Sequence, residues 1–235
     1  MNSNSSKNVS LSSADIAVLK TLQLQQKLEA HTATSADLLL VPRQSLAAVR
    51  PNPGEALMAS GPCTMTIWDA PGDGSYTGVS VPMVATGFAN RTGVQFAAGA
   101  AVGSLAANMF FKKRARKDAE PRWMPYSSGM MTVSTLGWYI QDQAYGLVSW
   151  GWQDVQSIEW LSQSQTELWL YSEQGNIRVQ MFSDWAELVF VAWVSATFPD
   201  HPRAHAYLTK EWADRVRRAL GADPFTGQPI GAVGR

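Results

Sequence analysis

From Met130 to Met181 apolar side chains recur at every second position, and from Ser183 the period changes to 3.6. That switch constrains the fold more than any other feature of the chain. Met130 to Gln141 reads as one long strand or two short ones. Gly146 to Trp152 places Val148, Trp150 and Trp152 on one face. Val155 to Leu161 brings Ile158 and Trp160 together, and Glu167 to Tyr171 opposes Leu168 and Leu170 to Trp169 and Tyr171. Ile177, Val179 and Met181 then alternate with Arg178 and Gln180, after a hairpin signal at Glu173-Gln174-Gly175-Asn176. Beyond Ser183, a good N-cap, Trp185, Leu188, Val189, Ala192, Trp193 and Ala196 form a helical stripe, with Asp184 and Glu187 at the positive helix end. Phe190, Val191 and Val194 make the remaining faces apolar, so burial on all sides is expected, up to Phe198-Pro199. Antiparallel strands followed by a buried helix place the chain in the α+β class.

The flanks are helical. Residues 1–12 are rich in Ser and Asn and are expected to be a disordered tail. Ser13 to about Ala30 reads as a helix capped by Ser12 or Ser13, with Val18/Leu22 and Leu24/Leu28 pairs. A second short helix is expected over Ala36 to Val49, ahead of the breaker Pro51-Asn52-Pro53-Gly54. Ala56 to Trp68 reads as a strand, Asp69 to Gly74 as a turn and Tyr76 to Met83 as the returning strand. The glycines of that turn have the wrong spacing for a phosphate loop. A last helix runs from about Leu208 to Leu220, capped by Thr209 and stopped by Gly221, with Arg215, Arg217 and Arg218 outward; the tail from Asp223 reads as loose.

The segment Gly93 to Lys117 stands apart. Its first nineteen residues, to Phe111, are small and apolar, and Gly99, Gly103 and Ala107 share one helical face. It then turns basic: five of the nineteen cations lie in Lys112, Lys113, Arg114, Arg116 and Lys117. Pro121 ends the helix expected over 92–119. Three readings compete. A transmembrane span has about the right length, but Gln95, Ser104 and Asn108 interrupt it, and a crossing would separate strands that belong together. A helix packed on the protein or on a twin subunit would use Gly99, Gly103 and Ala107 at the contact. An interfacial helix would dip Phe110 and Phe111 into lipid and set the basic run on phosphates.

Charge and chemistry narrow the function. Lys plus Arg equals Asp plus Glu, which argues against a nucleic-acid binder. One cysteine, Cys63, rules out an intrachain disulfide and fits a reducing compartment; with no histidine nearby it reads as a packed thiol. The N-terminus lacks a signal-peptide layout, so the cytoplasm is the expected location, peripheral at the inner membrane under the interfacial reading. His201 and His205 are four apart near Asp200, but Pro199 and Pro202 flank His201, so a solvated linker is expected there rather than a metal site. No catalytic motif is present, and neither a catalytic residue, a cofactor, a metal nor a small-molecule substrate is assigned. Eight of the ten tryptophans lie between Trp123 and Trp193 and read mainly as core, with Trp138, Trp169 and Tyr171 the aromatics expected at the surface.

The order of these elements resembles a pleckstrin-homology-like (PH-like) barrel, a bent antiparallel sheet whose open end is capped by a C-terminal helix. Met131-Thr-Val-Ser-Thr-Leu-Gly137-Trp-Tyr-Ile140 is similar to its opening strand. Trp152-Gln-Asp154-Val155-Gln-Ser-Ile158 is similar to a strand of GRAM and bacterial PH-like domains, and Ser183-Asp-Trp185-Ala-Glu-Leu188-Val-Phe190 to the closing helix. A narrower resemblance, over roughly residues 54–198, is to actinobacterial PH-like proteins. These have a Gly-Glu strand like Gly54-Glu55, a small-residue hydrophobic helix, an arginine run and an Ala-x-x-Trp-like element as at Ala119 to Trp123. Lys112-Lys113 departs from that pattern, as do the extra terminal helices. The resulting layout is a tail (1–12), a helical extension (13–53), a PH-like domain (54–198) with an inserted helix (92–119), and a C-terminal helix and tail (199–235). The resemblance implies a PH-like fold with a non-catalytic binding or adaptor role; the interfacial reading of Phe110, Phe111 and the basic run would bring it to an anionic membrane surface. The alternative is a soluble interaction or assembly subunit that self-associates or takes a protein partner.

Overall fold

The computed structural model describes residues 10–46, 49–70, 120–142, 146–172 and 175–229. Helix α1 spans Ser13–Glu29, and the strands are β1 (Leu57–Asp69), β2 (Arg122–Ser134), β3 (Gly137–Asp142), β4 (Gly146–Gly151), β5 (Val155–Ser162), β6 (Gln165–Ser172) and β7 (Gly175–Phe182). Helices α2 (Ala186–Thr197) and α3 (Lys210–Leu220) follow. The chain divides into two compact units: Met1–Ile67 with Pro125–Arg235, and Trp68–Met124. In the second, the Trp68 and Trp123 rings meet edge to face with centroids 5.4 Å apart.

The protein is α+β, with a seven-stranded antiparallel sheet in the order β4-β3-β2-β1-β7-β6-β5. Among the described residues the sheet does not close into a barrel: β4 and β5 are its two edges. β1 lies between β2 and β7, so a strand that precedes the central segment pairs with strands that follow it. The period-2 pattern sets the inner face. Leu168, Leu170, Val179, Met181, Met131, Val133 and Ile140 are fully buried. Helix α2 is buried at every residue from Ala186 to Val194, which explains its apolar composition on all sides. Each such large side chain contributes roughly 1.5–3 kcal/mol on leaving water.

Several expectations need correction. Trp138 is not at the surface; it is 0% exposed, because the register sets it opposite Trp150, and the two indoles stack at 5.4 Å. Trp169 and Tyr171, on the outer face of β6, are 42% and 53% exposed, as expected. The stretch Met130 to Gln141 is two strands, and the first begins already at Arg122. No α-helix forms at Ala36 to Val49 among the described residues; a turn and a single 3-10 turn at Arg43–Ser45 stand there. Pro42 lacks an amide proton and bars a continuous helix. The Leu40 N–H instead donates to Met58 C=O at 2.8 Å.

Ser183 does not cap α2. Its hydroxyl donates to Pro62 C=O at 2.8 Å and accepts the Trp185 N–H, and the helix begins at Ala186 after an N-cap at Trp185. Ser12 does cap α1, in a capping box with Asp15. Thr209 caps α3, and Gly221 ends it at φ +65°, a left-handed conformation that suits glycine. The tail beyond, as far as Pro229, is folded back rather than loose. Ala222 bridges Pro229, Asp223 accepts the Phe225 and Thr226 amides, and Phe225 meets Trp212 edge to face.

Candidate functional site

The residues singled out from sequence, Gly99, Gly103, Ala107, Phe110, Phe111, Lys112, Lys113, Arg114, Arg116 and Lys117, lie outside the described residues, as does the inserted helix expected over 92–119. The turn from Pro71 and the strand expected at Tyr76 to Met83 lie outside them too. Among the described residues, no helix is long and apolar enough to cross a membrane.

Within the first unit a groove of 640 Å³ runs beside β5. Its floor is Ser157, Ile158, Glu159 and Trp160, joined by Trp169 of β6 and Phe190 of α2, and its far wall is His201, Pro202, Arg203 and Ala206. Ser157 pairs with Trp169 and Glu159 with Glu167, so these residues share the outer face. Ile158 and Trp160 belong to the inner face with Phe190. Arg203 reaches across to Glu159 at 3.3 Å, with both side chains mostly exposed. The Arg178 guanidinium lies over the Trp169 ring at 5.6 Å and also pairs with Glu167 at 2.6 Å. Sequence reasoning marked Trp169 as exposed but missed the groove, because its far wall comes from a Pro- and His-containing stretch that reads as linker.

That stretch is anchored by an aromatic box. His201 lies 5.6 Å from Phe190, 5.9 Å from Trp193 and 5.9 Å from Phe198, in edge-on geometry with all three. Its Nδ1 accepts the Arg203 amide at 3.2 Å. His201 is therefore a packing residue, whereas Asp200, Pro202, Arg203, His205 and Ala206 are exposed as the linker reading expects. His205 faces Glu29 instead, at 3.3 Å. Among the described residues no group of three or more His, Cys, Asp or Glu could hold a metal.

One buried carboxyl near these elements has its pKa raised rather than lowered. Glu187 is 1% exposed, at the start of α2. Its Oε1 accepts the Ser164 amide at 2.7 Å, and its Oε2 has no hydrogen-bond partner. Burial pushes its pKa up to about 7, against the lowering effect of the Ser164 amide, and the Asp184 charge adds to the rise. The Trp160 indole is close enough to lower it, yet its N–H forms no hydrogen bond within normal geometry.

The β5–β6 turn that Glu187 holds is tied on its other side to α1 and α3. Gln163 donates to Asp15 at 3.0 Å, and Arg215 donates to Asp15 at 2.9 Å and to Gln163 at 2.5 Å. Arg215 thus turns inward, contrary to its expected exposure. Burial works to raise the Asp15 pKa, but Arg215, Gln163 and Ser12 outweigh it and hold it at about 2.

Cys63 is 3% exposed, and burial raises its thiol to about 12, as a packed thiol requires. A smaller pocket of 340 Å³ includes Lys20 and Lys27, but both ammonium groups are engaged, by Leu40 C=O at 2.6 Å and by Asp37 at 2.5 Å. Comparison of the chain with family models, with curated proteins and with solved structures finds no match.

Proposed function

We propose that this chain is a non-catalytic binding or adaptor module of PH-like type, acting at the cytoplasmic face of an anionic membrane. The observation that carries the reading is the strand order. An antiparallel sheet in which the first strand lies between the second and the last, followed by a helix buried along its first nine residues, is the layout a PH-like domain would have. The GRAM-like stretch Trp152 to Ile158 supports it, with Trp152 buried and its indole N–H donating to Thr135 C=O at 3.0 Å. The membrane part rests on sequence: Phe110-Phe111 followed by five cations is what an anionic leaflet attracts, at about 1 kcal/mol per cation.

The test is sedimentation of the full chain with phosphatidylglycerol vesicles. Binding is expected at low salt and should fall steeply at high salt, because surface attraction is screened. The triple variant Lys113→Gln, Arg114→Gln, Arg116→Gln is expected to stay in the supernatant. Equal sedimentation of variant and parent would discard the membrane reading. The competing reading is a soluble assembly subunit, favoured by the Gly99, Gly103 and Ala107 spacing. It predicts salt-independent self-association, visible as a higher mass in light scattering and abolished by Gly103→Leu.

A further inference from the structure

β5 is the terminal strand of the sheet, so among the described residues the backbone groups on its outer side have no neighbouring strand. The wall that faces it does not replace one. Along His201 to Ala206 the backbone bonds are local: the Ala204 N–H donates to His201 C=O, and the Ala206 N–H to Arg203 C=O. Among the described residues no backbone bond joins this wall to β5. Residues from both faces of β5 line the groove, so it follows the strand's edge rather than covering one side of the sheet. Register irregularities at Val155/Ser157 and Trp160/Ser162 bracket it and leave Ser157 to Trp160 in unbroken register. Such irregularities usually guard an edge; here they fall on either side of the groove and not within it.

We infer that this edge binds an extended peptide segment of a partner protein, which adds to the sheet as a strand beside Ser157 to Trp160. The inference rests on the binding-module reading and names the site and the class of partner. A row of alternating amide donors and carbonyl acceptors is satisfied in register only by another backbone. Four residues at about 3.3 Å each make a contact about 13 Å long. The rim carries opposite charges, Glu159 on β5 and Arg203 on the wall, paired at 3.3 Å with 60% and 69% of their side chains exposed. A peptide with a basic residue and an acidic residue two positions apart places both on one face and meets each rim charge with its opposite. Trp169, half exposed beside Ser157, offers an apolar contact between them. A second copy of this chain fits less well, because its strand would arrive embedded in its own sheet and meet the His201–Ala206 wall.

The test uses the full chain and an array of hexapeptides that alternate Val or Thr with Lys and Asp, the charges two apart and in both orders. The tightest member is followed by fluorescence anisotropy and by hydrogen exchange. Binding is expected to slow exchange of amides within residues 157–160. Methylating alternate backbone nitrogens of that peptide keeps its side chains and removes its amide donors, and should weaken binding about tenfold or more. Ala206→Trp, at an exposed position on the wall, should fill the groove and weaken binding similarly with an unchanged urea midpoint. The inference is overturned if no array member protects those amides. It is equally overturned if the methylated peptide binds as well as its parent, or if every amide of Ser157 to Trp160 already exchanges as slowly in the free protein as those of β7. Vesicle sedimentation without peptide binding would leave the module reading standing and remove this one; peptide binding without sedimentation would do the reverse for the membrane role.

Discussion

Glu187 shows how burial can reverse what position along a helix favours. Near the start of α2 the helix dipole stabilises a negative charge, and its place in the sequence points to an ionised side chain. The fold leaves it 1% exposed with one oxygen unpartnered, and desolvation outweighs the dipole. The sign of the resulting pH dependence follows. The unfolded carboxyl titrates near 4.5 and the folded one near 7, so between these values the native state holds a proton that the unfolded chain has released. Stability should therefore fall as pH rises from about 5 to 7 and level off above, by on the order of 3 kcal/mol. The facing groups, Asp184 and the Tyr207 hydroxyl, carry no positive charge to offset this. Glu187→Gln should flatten that slope; urea midpoints of both proteins at pH 5 and pH 8 check it, and parallel slopes would refute it. The same scale explains the tryptophans. Trp138 and Trp169 both sit in alternating segments, and nothing local separates a buried from an exposed face. The pairing partner decides, Trp150 for one and the outer-face Arg178 for the other.

At the scale of elements, local signals predicted the elements well and their ends less well. Ser12, Thr209 and Gly221 act as their side chains and conformational preferences dictate. Pro42 broke the helix expected over Ala36 to Val49 for an equally local reason. Ser183 failed as a cap because its hydroxyl oxygen accepts the Trp185 amide in a turn that precedes the helix, while its proton is held by the distant Pro62 C=O. The β3–β4 pair depends on a close approach that a sequence does not announce: a Cβ on Gly137 would lie 2.0 Å from the Trp150 carbonyl oxygen. Gly137→Ala should therefore cost roughly 2–3 kcal/mol, although alanine is otherwise a mild replacement. Chemical denaturation measures this, and Gly175→Ala, where nothing lies within 4 Å, separates crowding from backbone strain at φ +111°. The groove was not legible for a related reason. Its floor is a predictable strand, but its wall depends on His201 entering a box made by Phe190, Trp193 and Phe198.

For the molecule as a whole, the sheet is assembled from distant parts of the chain. β1 supplies the register Thr64–Phe182 to Ile67–Val179 with β7 and borders β2 on its other side. A fragment that starts at Glu120 retains six strands and both later helices, yet lacks the strand between β2 and β7. It should show no cooperative urea transition, and restoring residues 54–70 as a separate peptide should recover one, read by near-ultraviolet circular dichroism. A cooperative transition in the fragment alone would mean that β2 and β7 close without β1. Periodicity, caps and breakers, all properties of neighbours along the chain, determined by themselves most of the described strands and helices, with the stretch Ala36 to Val49 the exception, that the class is α+β, and that α2 is buried on every side. Which strand borders which, that the sheet of the described residues stays open at β4 and β5, that Trp138 is inside, and that burial raises the Glu187 carboxyl to about 7 were decided only by tertiary structure. Each of these depends on desolvation and pairing between residues far apart in sequence, which no local pattern encodes.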